Sequence, residues 1–170
     1  IGVVSQPGRG ALFWLEIPLH AAQDQSPADQ APDDKLADEA LNILVVDDNP
    51  VNLMVAQLQL QKCWPRAQIT TVDSGARALP LLDAQVFDVA LVDMIMPGMD
   101  GMQLTQHIRQ HFPAIAARMP ILALTANTNP VDRDKCLAAG MNDVLHKPMD
   151  EVVLIRTVAH QVRLAREARL

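Results

Sequence analysis

The chain has 170 residues, 49% hydrophobic and 20% charged, enough for one ordinary domain with a proper core and some extra length. Its formal charge of -6 argues against nucleic-acid binding, which needs a basic face; the sparse arginines Arg156, Arg163, Arg166 and Arg169 fit a solvated helix face instead. No apolar run approaches the roughly 20 residues of a membrane span, the N-terminus lacks a basic region followed by an apolar core, and Cys63 and Cys136 lie too far apart to signal a zinc site or a disulfide framework.

Residues 1–19, "IGVVSQPGRGALFWLEIPL", pattern as a β-hairpin around the turn Pro7-Gly8-Arg9-Gly10. The chain begins at Ile1 and not at Met, as an excised fragment would. From His20 to Glu39 the composition shifts to Ala, Gln, Asp, Ser and Pro, with hardly a large apolar residue, so this stretch cannot bury enough surface to offset its ordering entropy and is expected to be a flexible linker. Five short apolar runs follow: residues 42–46, 68–72, 88–92, 121–124 and 143–145. Segments of helical spacing alternate with them. The first places Val51, Met54, Val55 and Leu58 on one stripe, with Pro50 in the first turn where its missing N–H costs nothing. The last sets Val152, Ile155, Val158 and Val162 on another. Pro80 falls inside the second helical segment and should kink it or delay its start. Strands that are apolar throughout are buried on both faces, and helices between them imply right-handed parallel crossovers, hence a doubly wound α/β sheet of five strands and five helices.

In such a sheet ligands bind outside the carboxyl ends of the strands. Asp47 and Asp48 follow the first run, Asp93 the third, Thr125 the fourth and Lys147 the fifth. Asp73, after the second, is expected to cap the next helix. A single Asp at a strand end usually does no more than that, and Lys147 or Thr125 alone would be unremarkable. Together they put three carboxylates, one hydroxyl and one ammonium on one edge. The carboxylates would repel unless a divalent cation joined them, and an all-oxygen site with few protein ligands suits Mg2+. One carboxylate can then attack phosphorus while cations neutralise the phosphoryl oxygens.

Four stretches resemble the receiver domain of two-component response regulators: "VVDDNPVN", "LVDMIMPGMDG", "ILALTAN" and "LHKP". The resemblance spans residues 42 to about 165. It implies the flavodoxin-like fold with strand order 2-1-3-4-5, Asp93 as phosphoacceptor, Asp48 as a direct Mg2+ ligand supported by Asp47 through water, and the backbone carbonyl of Ile95 as a further ligand. It also implies that Thr125 and Lys147 contact the phosphoryl group and that the Lys147–Pro148 bond is cis. Receivers commonly carry Tyr or Phe three residues before the lysine as a rotameric switch; here that residue is Val144. The "DDNPVN" start and "GMNDVLHKP" are similar to receivers of hybrid histidine kinases, and residues 1–19 look like the closing hairpin of a kinase ATP-binding domain.

The organisation that follows is an ATP-binding-domain remnant over 1–19, a linker over 20–40 and a receiver over 41–170. This fragment lacks ATP-binding motifs and a phosphoacceptor-histidine box, so it is not a kinase by itself. The implied partners are the kinase core of its parent chain and a histidine phosphotransfer domain, with no nucleic acid and no membrane contact. The implied location is the cytoplasm, with a parent chain that can be anchored in the inner membrane. A haloacid-dehalogenase-like hydrolase would want a second acid two residues after the nucleophile, where Ile95 stands. A free-standing response regulator would leave residues 1–19 unexplained.

Overall fold

The computed structural model describes residues 2–6, 8, 10–14, 16, 39–112, 114, 119–126 and 130–168. The chain divides into two compact units, residues 1–30 and 31–170. In the first, β1 (Gly2–Gln6) and β2 (Gly10–Trp14) pair antiparallel, with Gly2 opposite Trp14 and Gln6 opposite Gly10. Gly8 and Gly10 take φ of 78° and 85°, left-handed values open to glycine without a Cβ penalty, and so close the turn. A two-stranded ribbon has no core of its own. Val3, Val4, Leu12, Phe13 and Trp14 are accordingly all exposed. The "IPL" end of the hairpin segment and the linker through residue 38 lie outside the described residues.

The second unit alternates β3 (Asn42–Val46), α1 (Pro50–Cys63), β4 (Gln68–Val72), α2 (Gly75–Ala84), β5 (Val89–Asp93), α3 (Gly101–His111), β6 (Ile121–Thr125), α4 (Pro130–Ala138), β7 (Asp143–His146) and α5 (Glu151–Glu167). All neighbouring strands are parallel, in the order β4-β3-β5-β6-β7. Counted within this unit, that is the expected order 2-1-3-4-5. The central strands β5 and β6 are buried along their whole length and β3 after its first residue, while the edge strands β4 and β7 are largely half-buried.

Alternate side chains feed two cores. Val45, Leu91, Leu122 and Leu124 pack with Leu60 of α1 and with Leu154, Val158 and Val162 of α5. Leu44, Val46, Val92 and Ala123 pack on the other face with Ala78 and Leu82 of α2 and Leu104 and Ile108 of α3. Val144 joins this second core as a half-buried strand residue.

Four local expectations are corrected. The α1 stripe exists, but it faces outward: Val51, Met54, Val55 and Leu58 are 45% to 65% exposed, and the helix buries Ala56, Leu60 and Cys63 instead. In α5, Leu154 takes the core position and Val152 is exposed. The cap of α2 is Ser74, not Asp73, whose carboxylate accepts from Arg77 at 2.8 Å one turn on. Pro80 neither delays α2 nor ends it; Ala76, whose carbonyl loses its helical donor there, and Pro80 are both exposed, so water can serve that oxygen.

At the amino edge of the sheet, Arg166 in the last turn of α5 pairs with Glu39 and lies 3.7 Å from Asp88. The other oxygen of Asp88 accepts the Asn42 N–H at 2.9 Å.

Candidate functional site

At the opposite edge, β3 ends at Val46 and the chain turns into α1 within three residues. Asn49 caps that helix by accepting from the Val51 N–H at 2.9 Å, with Pro50 in the first turn. The turn buries Asp47, 1% exposed, and leaves Asp48 exposed. Four contacts fix the Asp47 carboxylate. The Asn49 N–H donates at 2.9 Å, Asn52 Nδ2 spans both oxygens at 3.0 and 3.2 Å, and Lys147 Nζ approaches to 2.6 Å.

Lys147 follows β7 and is joined to Pro148 by a cis bond. Its backbone N–H donates to the Thr125 carbonyl at 2.7 Å. Its ammonium bridges Asp47 and Asp93, lying 2.9 Å from Asp93 Oδ1. Burial opposes the charge on Lys147, yet the two carboxylates outweigh it and hold the ammonium above its ordinary range. Asp93 is also pushed up, first by burial and further by Asp47, against the pull of Lys147 and a hydrogen bond from the Ile95 N–H. Its carboxyl is thus an acid kept ionisable chiefly by its cation.

The carboxylate oxygens of Asp47, Asp48 and Asp93 come within 4.8 Å of one another. This donor set is hard, all-oxygen and open on the Asp48 side, which fits a small divalent cation that keeps part of its water shell. Asp93 and Thr125 are the last residues of β5 and β6, so these strands extend one residue beyond the apolar runs. Thr125 is buried and lines a cleft of about 420 Å³ with Met94, Ile95, Met96 and Cys136. The Ile95 side chain is 82% exposed.

Two residues with a part in this geometry were not anticipated. Asn52, one turn into α1, clamps Asp47; the trace of it in the sequence is an amide five residues after the acid. Gly101 opens α3 against the back of Asp93, where a Cβ would meet the Asp93 carbonyl oxygen at 2.3 Å. The capping box of Asp100 and Gln103 fixes that helix start. In the loop from Asp93 to Gly101, Gly98, at φ 77°, makes the turn.

Residues 43–159 match the response regulator receiver domain, and the chain belongs to that family. Its relatives include receivers carried by hybrid sensor histidine kinases. It is 37% identical over 158 residues to the sensor histidine kinase GacS of Pseudomonas protegens, covering 92% of this chain and 16% of that protein. It is 34% identical over 171 residues to RcsC of Escherichia coli, covering 97% and 17%. The chain therefore spans about one sixth of the length of these curated relatives. Among solved structures, the receiver domain of the sensor histidine kinase PA1611 from Pseudomonas aeruginosa is 37% identical with a TM-score of 0.65, over 74% of this chain and 99% of that one. That structure has a magnesium ion coordinated in its active-site cleft. Among the described residues, no helix is long and apolar enough to cross a membrane.

Proposed function

We propose that this receiver takes a phosphoryl group from a phosphohistidine onto Asp93 and yields it to a histidine phosphotransfer domain, within a hybrid sensor histidine kinase. The observation that carries the reading is the Lys147 ammonium bridging Asp47 and Asp93, with Asp48 beside them. Asp93 Oδ attacks phosphorus in line; the phosphorus–nitrogen bond breaks, the phosphorus–oxygen bond forms and the imidazole leaves. Lys147 moves from the free carboxylate to one phosphoryl oxygen, and the Thr125 hydroxyl donates to another. Asp47, Asp48, Asp93 and the Ile95 carbonyl would hold Mg2+, which supplies charge neutralisation at the phosphoryl oxygens. Asn52 and the Asn49 N–H keep Asp47 oriented throughout.

Residues 1–19 and 20–40 are, on this reading, the end of a kinase ATP-binding domain and the linker to the receiver, with a cytoplasmic location. The similarity to GacS and RcsC covers 92% and 97% of the chain and so reaches upstream of the receiver match. The docking face for the phosphotransfer partner is the outward stripe of α1 together with a groove of about 350 Å³ lined by Val55, Gln59, Lys147, Pro148 and Met149. Val51 and Met149 are expected contacts. An apolar rim beside the acid cluster can exclude water and align the partner histidine.

The test is intact-mass labelling of wild type and Asp93→Asn with acetyl phosphate and Mg2+. Wild type gains one phosphoryl group and the variant none; equal labelling would overturn the assignment. Met149→Asp and Leu58→Asp should keep labelling by acetyl phosphate and lose transfer to the phosphotransfer domain.

A further inference from the structure

Away from the acid cluster, the second half of α3 carries two histidines. His107 and His111 stand four residues apart, the spacing that stacks side chains on one helix face. Their rings are stacked with centroids 4.2 Å apart and planes inclined by 21°. Nδ1 of His111 lies 3.1 Å from the His107 carbonyl oxygen. A carbonyl only accepts, so Nδ1 carries the hydrogen of the neutral ring and Nε2 keeps its lone pair. This is the tautomer of a ligating histidine, whose second nitrogen is held by a carbonyl while the first faces the metal. His111 is exposed and His107 half-buried, with the Phe112 ring 6.2 Å from His107. His111 also lies in the last turn of the helix, beside Arg109, where the partial negative charge of the unpaired carbonyls favours a cation.

We propose that His107 and His111 chelate a borderline divalent transition metal such as Ni2+, Cu2+ or Zn2+. Imidazole nitrogens prefer these ions, whereas the carboxylates of the acid cluster prefer Mg2+. A chelated ion must lie in the plane of both rings, so binding exchanges the stack for rotamers that turn the two ring edges toward one point on the open helix face, with metal–nitrogen bonds of about 2.0–2.1 Å. Water completes the coordination shell.

The experiment titrates Ni2+ into the untagged chain by calorimetry with excess Mg2+ filling the acid cluster, and records the paramagnetic resonance of Cu2+ added in place of Ni2+. Wild type should bind one equivalent, with two nitrogens coupled to Cu2+. His107→Gln and His111→Gln should each weaken binding tenfold or more, while His160→Gln on α5 leaves it unchanged. All three variants should still be labelled by acetyl phosphate, which shows that they fold. Wild-type affinity in either α3 variant would overturn the chelate, and so would Ni2+ binding that Mg2+ displaces.

Discussion

The central strands and α1 use the same kind of side chain to opposite ends. In β3, β5 and β6 the branched apolar residues all go inward, because a parallel sheet covered on both faces has no other place for them. Helix α1 is apolar on more than one face. It commits Ala56, Leu60 and Cys63 to the core and leaves Val51, Met54, Val55 and Leu58 in solvent. Four sizeable apolar side chains on one exposed face, at the rim of a charged cleft, form the kind of patch that soluble proteins keep for a partner. Core burial thus accounts for the sheet, and only half of α1.

The sharpest way to break this comparison is a pair of truncations two residues apart. Leu60→Ala, at a site 0% exposed, should cost about 3 kcal/mol in urea unfolding. Leu58→Ala, at a site 65% exposed, should change stability by less than about 0.5 kcal/mol and act only on phosphotransfer. Similar costs at the two positions would mean that the outward stripe is structural. Between these extremes, Gly101→Ala should cost roughly 1–3 kcal/mol, because the Cβ forces α3 away from the Asp93 backbone. Its labelling by acetyl phosphate should fall in parallel.

The acid cluster gives two smaller, pH-dependent effects, both measured without Mg2+. The folded state raises the Asp93 pKa, so it binds the proton more tightly than the unfolded chain does, and ionising Asp93 subtracts stability as pH rises from the ordinary carboxylate range. Asp93→Asn should therefore be more stable than wild type at neutral pH, with the gain vanishing in acid. For Lys147 the folded pKa is also raised, but on a base. Its contribution is fully present below the unfolded lysine value of roughly 10.4 and is lost as pH rises through the folded value. The stability gap between wild type and Lys147→Met should close on that alkaline side. A gap independent of pH would show that the ammonium contributes only packing.

Much of the sheet was legible because its signal is nearly binary: unbroken apolar runs of the right length, each followed by a polar residue at the ligand-binding edge. That is why the convergence of Asp47, Asp48, Asp93 and Lys147 on one edge is legible in the sequence. The facing of α1 was not legible, since a helix with apolar residues on two faces offers two stripes and periodicity cannot say which one meets the sheet. Asp73 went astray because Asp and Ser both cap helices and here stand side by side; the neighbour Arg77 claimed the acid. Gly101 was silent for another reason. Its role is the space that a side chain would occupy, and no pattern of hydrophobicity records an empty volume.

The pairing of Glu39 with Arg166 has an architectural consequence. Where the polypeptide enters the receiver and where its last helix finishes share one corner, at the far end from Asp93. A module with its entry and exit at a common corner behaves like a plug on a single stalk. It can be spliced onto a longer polypeptide without threading that polypeptide past its acidic end.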